Sequence, residues 1–244
     1  MKKIVLLTGI ITLVSVVSHS YAQDMEGIIT YEYKTNLHRR LPPDREELKE
    51  MMPQFRTSTE QLFFNATESL YKPVIEDDLD ELDNGGGMRV QIARPYFEFY
   101  LNGESKTATN KREFMGKNYL ITKPMEIAPW KFSDETKVIL GYECKQAYYT
   151  TEDPEQTVTA WYTDKLRPFL GPNIYYTLPG TILALDINNE EQVYEAKQIE
   201  LNALKKNEMK IPKGGQETTD EEFKIIMDEQ MKKMGAHGGM MIRN

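Results

Sequence analysis

Gly171-Pro172-Asn173-Ile174-Tyr175-Tyr176-Thr177-Leu178-Pro179-Gly180-Thr181-Ile182-Leu183-Ala184-Leu185 is the stretch whose reading decides the fold. Pro179 fixes its own φ and Gly180 carries no Cβ, so Leu178-Pro179-Gly180-Thr181 reads as a tight turn. The run 181–187 that follows is short, apolar and rich in branched side chains, which predicts a buried strand. A turn feeding a strand contains no nucleophile, base or ligand. The stretch speaks to architecture and leaves the chemistry to other parts of the chain.

The same grammar repeats on either side of it. Ile29, Tyr31 and Tyr33 alternate with polar residues, which predicts an opening strand. Residues 61–71 read as a hairpin turning at Asn65-Ala66-Thr67. Further strands are expected at 89–93, 96–101, 105–114, 119–123, 138–150, 156–163, 181–187 and 192–201, separated by clusters such as Asn102-Gly103, Ser133-Asp134 and Asn188-Asn189. Short turns between successive strands imply antiparallel pairing. A sheet of about eight to ten strands must curl or pack on something. The predicted fold is mainly β, a β-rich α+β chain: an antiparallel curved sheet or half-barrel meander around a helix or an apolar cavity.

Two helices are expected beside the sheet. Asp44 caps a short N-terminal one, with Glu47 three positions on and Pro53 as its stop. At the other end, 205–216 is polar with Pro212 and Gly214-Gly215 and reads as a linker. Thr219 and Glu222 then form a capping box, followed by Phe223, Met227, Gln230/Met231 and Met234 at helical spacing, with Gly235 as the stop. Acidic residues in the first turn and Lys232-Lys233 in the last suit the helix dipole. This amphipathic helix needs a surface to dock on.

The order of several blocks resembles a known family. Gly141-Tyr142-Glu143-Cys144-Lys145-Gln146-Ala147 is similar to a GY-x-C-x-x-A block, and Ala160-Trp161-Tyr162-Thr163 to an AWYT segment. Leu178-Pro179-Gly180 with Ile182 completes the likeness. Together, over about 130–201, they resemble the GLPGLI family of exported Bacteroidetes proteins. Thr177 stands where that name motif has its first Gly, and Thr181 where it has its second Leu. The resemblance implies an exported β-rich domain and brings no assigned chemistry with it. Leu178, Pro179, Gly180, Ile182, Gly141, Tyr142, Cys144, Trp161 and Tyr162 are its structural signature.

The first residues agree with export. Lys2-Lys3, the apolar run 4–17 and Ser20-Tyr21-Ala22 form a secretory signal, cleaved after Ala22. The run is shorter than the ~18–20 residues a membrane span needs. No cysteine follows it to take a lipid. The expected organisation is a signal at 1–22, a β-rich domain at 23–204, and a linker with helix and Met/Gly tail at 205–244. The mature chain is expected to be soluble, in the periplasm or secreted, with no transmembrane segment. Loss of Lys2 and Lys3 takes the net charge from −8 to −10. Such a chain argues against nucleic acid as a partner.

Catalytic apparatus is scarce. His38 and His237 are the histidines left after the signal, both in polar surroundings, and no phosphate loop, dinucleotide fingerprint, HExxH or CxxC appears. No cofactor is expected. Cys144 is the only cysteine. Val138, Leu140, Tyr142, Cys144 and Tyr148 are read as one face of one strand, with the cysteine as a core residue. The acidic run 76–87 reads as a solvated hairpin loop, with a calcium loop as the alternative although its spacing fits no EF-hand pattern. Trp130, Trp161, Tyr162, Tyr175 and Tyr176 suit either core packing or a sugar or lipid site.

Three function classes follow. The first is a non-enzymatic exported binding or interaction domain, its partner an apolar or envelope-derived ligand or another protein. The second is a carboxylate-dependent hydrolase, since acidic residues are many. The third is Cu(I) handling by the tail, where Met231, Met234, His237, Met240 and Met241 supply soft ligands. The competing role for Met227, Met231 and Met234 is the docking face of the helix.

Overall fold

The predicted alternation of strands is realised as two meanders. β1 (Gly27–Asn36), β2 (Phe55–Phe64), β3 (Glu68–Pro73), β4 (Phe97–Asn102), β5 (Thr107–Phe114) and β6 (Lys117–Pro124) form the first. β7 (Lys131–Ile139), β8 (Tyr142–Thr150), β9 (Thr157–Thr163), β10 (Thr181–Ile187) and β11 (Gln192–Glu200) form the second. Antiparallel pairing of β1 with β11, from Ile28 opposite Glu200 to Thr35 opposite Gln192, fuses them into one sheet. A short β12 (Gln216–Thr218) adds in parallel to β6. The order is β12-β6-β5-β4-β3-β2-β1-β11-β10-β9-β8-β7. The chain is therefore mainly β, one open curved sheet with a single α-helix, α1 (Asp220–Gly238), among the described residues.

This is a computed structural model that describes residues 26–41, 46–75, 96–152 and 155–238. The predicted signal at 1–22, Asp44, the acidic run 76–87, the strand at 89–93, Met240 and Met241 lie outside the described residues, as do the side chains of Met234 and His237.

One connection dictates the shape of the sheet. β6 and β7 stand ten positions apart in sheet order, yet only residues 125–130 join them. Laid flat, ten strand spacings would part them by roughly 48 Å. Six linking residues reach about 25 Å at full extension. The sheet must therefore curl until its two flanks approach each other across its concave face.

That face is filled from within. Ile29, Tyr31, Leu62, Phe64, Tyr71, Phe99, Ala160, Leu185 and Ile187 point into one buried cluster. Leu166, Leu170, Tyr176 and Leu178 join it from the 164–180 segment, the long excursion between the neighbouring strands β9 and β10. Tyrosines bridge the depth. The Tyr31 hydroxyl donates to the Ile182 carbonyl at 2.6 Å, Tyr71 donates to the buried Glu60 carboxylate, and Tyr33 stacks on Tyr194 at 4.4 Å. Each ring buries apolar area while its hydroxyl finds a partner, as a buried tyrosine requires.

A second cluster, Phe63, Leu70 and Tyr100, lies on the convex side under Leu204 and Met209. The stretch at 205–216 is therefore no free linker: it packs along the sheet, buries Pro212 and ends in β12. A third cluster seats α1. Phe223 is buried against Tyr119 and Ile121, with Ile226 and Met227 beside it. The capping box forms as expected, with Glu222 N–H donating to Thr219 Oγ1 and Thr219 N–H to Glu222 Oε2, both at 3.1 Å. The helix runs on to Gly238 rather than stopping before Gly235. Met231 is 62% exposed, so the docking face is Phe223, Ile226 and Met227 and does not extend to Met231.

Two further expectations are corrected. The predicted strand 138–150 is two strands, β7 and β8, joined at Leu140 and Gly141, whose φ values are +50° and +83°. Ser133 and Asp134 fall inside β7, at an irregularity in its pairing with β8, rather than at a turn. Val138, Leu140 and Tyr148 thereby lose the common buried face with Cys144 and are exposed, Val138 to 71%. The predicted N-terminal helix is a single 3-10 turn, Glu46–Glu50.

Gly180 matters for a reason other than a left-handed φ. A Cβ there would stand 2.2 Å from the Thr163 carbonyl oxygen and 2.9 Å from the Tyr162 ring, where β9 and β10 converge. At Gly141 the space is open and only the positive φ resists a side chain. Gly180→Ala should cost about 3 kcal/mol because strands must part. Gly141→Ala should cost about 1 kcal/mol through backbone strain alone. Urea titration of both variants checks the order; equal losses would contradict the close-approach account.

A candidate ligand cleft

The 164–180 segment is tied to strands from both meanders. Thr181 Oγ1 donates to the Arg167 carbonyl at 2.6 Å and Ile182 N–H to the Leu170 carbonyl at 2.9 Å. Arg167 Nη1 reaches the Glu68 carbonyl at 3.0 Å, and the Asn173 side chain hydrogen-bonds the Tyr194 hydroxyl. Tyr176 packs on Phe99, with ring centres 5.7 Å apart. Thr177 holds the crossing connection: its Oγ1 accepts from Trp130 Nε1 at 2.8 Å and from Ala128 N at 3.2 Å. Thr177 is thus the pin between segment and connection.

Between these two elements and the β5–β6 flank opens a cleft of about 320 Å³. One wall is aromatic: Phe99, Trp130, Tyr149, Tyr175 and Tyr176 line it. Trp130 meets Tyr149 edge to face at 4.7 Å. Ile127 and Ile174 stand at the lining too, Ile127 being 83% exposed. The rest of the lining is polar, from Asn110, Arg112, Lys123, Glu126 and Asp220, with Asn110 the cross-strand partner of Phe99.

Asn110 Oδ1 and the Arg112 guanidinium have no hydrogen-bond partner among the described residues. Asn110 is only 7% exposed, and its Oδ1 is buried without a hydrogen bond. Leaving such an atom unpaired costs about 1–3 kcal/mol. Arg112 lies 5.8 Å from the Phe223 ring with Asp220 in electrostatic reach, and no acceptor takes its N–H groups among the described residues. Burial pulls its guanidinium below the usual arginine range, and Asp220 opposes that. Tyr149 and Tyr175 also line the cleft, and neither hydroxyl has a hydrogen-bond partner among the described residues. Burial raises both phenols above their ordinary range.

The charges balance. Lys123 Nζ is 2.7 Å from Asp220 and 3.1 Å from Glu126, so both carboxylates converge on one ammonium group. Asp220 is the first residue of α1, and this ion pair ties the helix to the rim of the cleft.

The sequence-derived candidates scatter. Trp130, Tyr175 and Tyr176 come together in the cleft, whereas Trp161 and Tyr162 do not line it. Trp161 receives Lys137 Nζ 4.5 Å from its ring centre, and Tyr162 is buried near Phe132. Tyr142 packs half-buried against the core, Gly141 is at the hairpin, and Leu178 and Ile182 are fully buried. Cys144 is a buried free thiol that burial pushes up to about 11, which leaves it protonated and inert at neutral pH. His38 bonds the Met52 carbonyl at 3.0 Å. Among the described residues no His, Cys, Asp and Glu group has the geometry to hold a metal ion, and no helix is long and apolar enough to cross a membrane. Asn110, Arg112, Lys123 and Tyr149 had not been singled out. Only the bend of the sheet assembles them.

Lys123 makes α1 docking pH-dependent. Burial lowers its pKa, but Asp220 and Glu126 outweigh that and raise it above 10.5. A raised folded pKa gives stability that is full below the unfolded value and is lost as pH climbs through the folded one. Wild type should therefore exceed Lys123→Met in urea stability at pH 8, and the gap should shrink as pH rises past 10.5. Added salt should narrow it as well, because the pair is partly exposed. A gap constant to pH ~12 would sever helix docking from this lysine's charge.

No protein-family model matches the chain, and no curated protein is similar to it. Solved structures of PNGF-II in space groups P21 and C2 are similar in fold, each with a TM-score of 0.55 at 18% identity. The match covers 83% and 82% of this chain but 33% and 32% of those chains, so the chain spans about a third of the length of PNGF-II. Similarity at that identity shows a shared β-rich fold and nothing of a shared activity.

Proposed function

We propose that this chain is an exported, non-enzymatic binding domain of the GLPGLI type, and that its ligand occupies the cleft between the 125–130 connection and the 164–180 segment. One observation carries the reading: Asn110 is kept buried with an unpaired oxygen in an aromatic-walled cleft. A polar side chain that costs stability and bonds to nothing fits a residue retained for a ligand. The volume lies at the small end of ligand pockets, and a few convergent polar groups on an apolar wall are their usual chemistry. A hydrolase of the two-carboxylate kind needs an open lane between its acids. Glu126 and Asp220 instead face the same lysine. The export signal and the family resemblance support the location; the ligand reading stands on the cleft.

Asn110→Leu, nearly the same size and apolar, separates a ligand residue from a structural one. It should raise stability by about 1 kcal/mol, since the unpaired group is gone. Native mass spectrometry of the exported protein should at the same time show loss of any co-purified small molecule that wild type carries. A lower melting temperature for Asn110→Leu would make Asn110 structural and remove the reading.

A further inference from the structure

We infer that the cleft is built for an uncharged, polyhydroxylated ring, a neutral saccharide unit, with Arg112 as its anchor. The inference rests on the cleft being the ligand site and adds the class of ligand. The groups without partners set the requirement. Arg112 offers only donors, Asn110 offers both donor and acceptor, and the Tyr149 and Tyr175 hydroxyls each do both. Glu126 and Asp220 add acceptors at the rim. A ligand that fills this set must donate and accept at several neighbouring points while remaining flat enough to lie on Trp130 and Tyr175. Adjacent hydroxyls on a sugar ring supply both roles, and the C–H face of the ring supplies the apolar contact.

The alternatives satisfy less of the site. An acyl chain would bury Arg112, Asn110 and both hydroxyls with nothing to bond, which is costly for each. An anion would pair with Arg112 but would meet Glu126 and Asp220 beside it, on a chain whose net charge is already −8. Lys123 offers it little, because its ammonium is taken by those two carboxylates. A neutral ring brings no such repulsion.

α1 takes part in the site. Phe223 and Asp220, both in its first turn, flank the Arg112 guanidinium from the ring side and the charged side. Docking of the helix thereby orients the anchor. The C-terminal element is a positioning device for the cleft as well as a cover for Tyr119 and Ile121.

The test is a glycan microarray carrying neutral and acidic glycans, probed with the full chain, followed by calorimetric titration of the best neutral glycan. Laurate and a galacturonic acid trimer serve as apolar and acidic comparisons. A neutral glycan should bind saturably, and Arg112→Gln should weaken it about tenfold or more. Tyr149→Phe, which removes one hydroxyl without a protein partner among the described residues and keeps the ring, should weaken it by roughly threefold to tenfold with an unchanged melting temperature. Laurate or the acidic trimer binding in place of every neutral glycan, with Asn110→Leu abolishing it, would overturn the saccharide inference and leave the cleft reading standing. No neutral glycan retained, or one whose affinity ignores Arg112→Gln and Tyr149→Phe, would overturn the inference outright.

Discussion

Six residues between β6 and β7 constrain everything else. Because 125–130 must join the two flanks of an eleven-strand run, the sheet rolls, and rolling creates a concave interior that strand side chains alone do not fill. The 164–180 segment fills it. Its leucines enter the core, while its polar atoms fasten to strands far apart in sequence: Glu68 on β3, Tyr194 on β11 and Ile182 on β10. The connection that forces the roll is itself held by the segment that fills it, through Thr177. Shape and packing are therefore one problem with one solution. The cleft is the space left where those two elements fail to meet.

Much of this was legible in residues. Alternation marked β1, the Asn65-Ala66-Thr67 turn marked the β2–β3 hairpin, and Thr219 with Glu222 marked the start of α1. Each of these signals is local, arising from period, turn chemistry or capping within a few positions. Where a local signal was weak, the reading slipped. Leu140 occupies a left-handed turn position that leucine rarely takes, so its hairpin hid inside an apolar run. Gly180 reads from sequence as a turn glycine, and its close approach is invisible there because the nearby Thr163 carbonyl belongs to another strand.

The cleft itself was beyond local reading. Its lining comes from β4, β5, β6, β8, the crossing connection, the inner segment and the start of α1. Only the pairing of β1 with β11 and the resulting roll bring Asn110 near Tyr175. Asn110 and Arg112 sit in a strand that is polar apart from Ala108 and Phe114, where a polar residue reads as solvent-facing. The structure places them on the inner face instead, and that reversal is the strongest pointer to use. Thr177 and Thr181 also gain meaning only here, since Thr177 accepts from Trp130 and Thr181 donates to the Arg167 carbonyl.

Hydrogen–deuterium exchange on the full chain tests the central claim most directly, that 164–180 is core on which the cleft is built. Seventeen residues between two neighbouring strands would ordinarily exchange as a surface loop. The account predicts that the amides of Phe169 and Tyr175 exchange as slowly as those of β9 and β10, through global unfolding alone. Exchange of Phe169 and Tyr175 on the timescale of exposed loops, with β9 and β10 still protected, would contradict it.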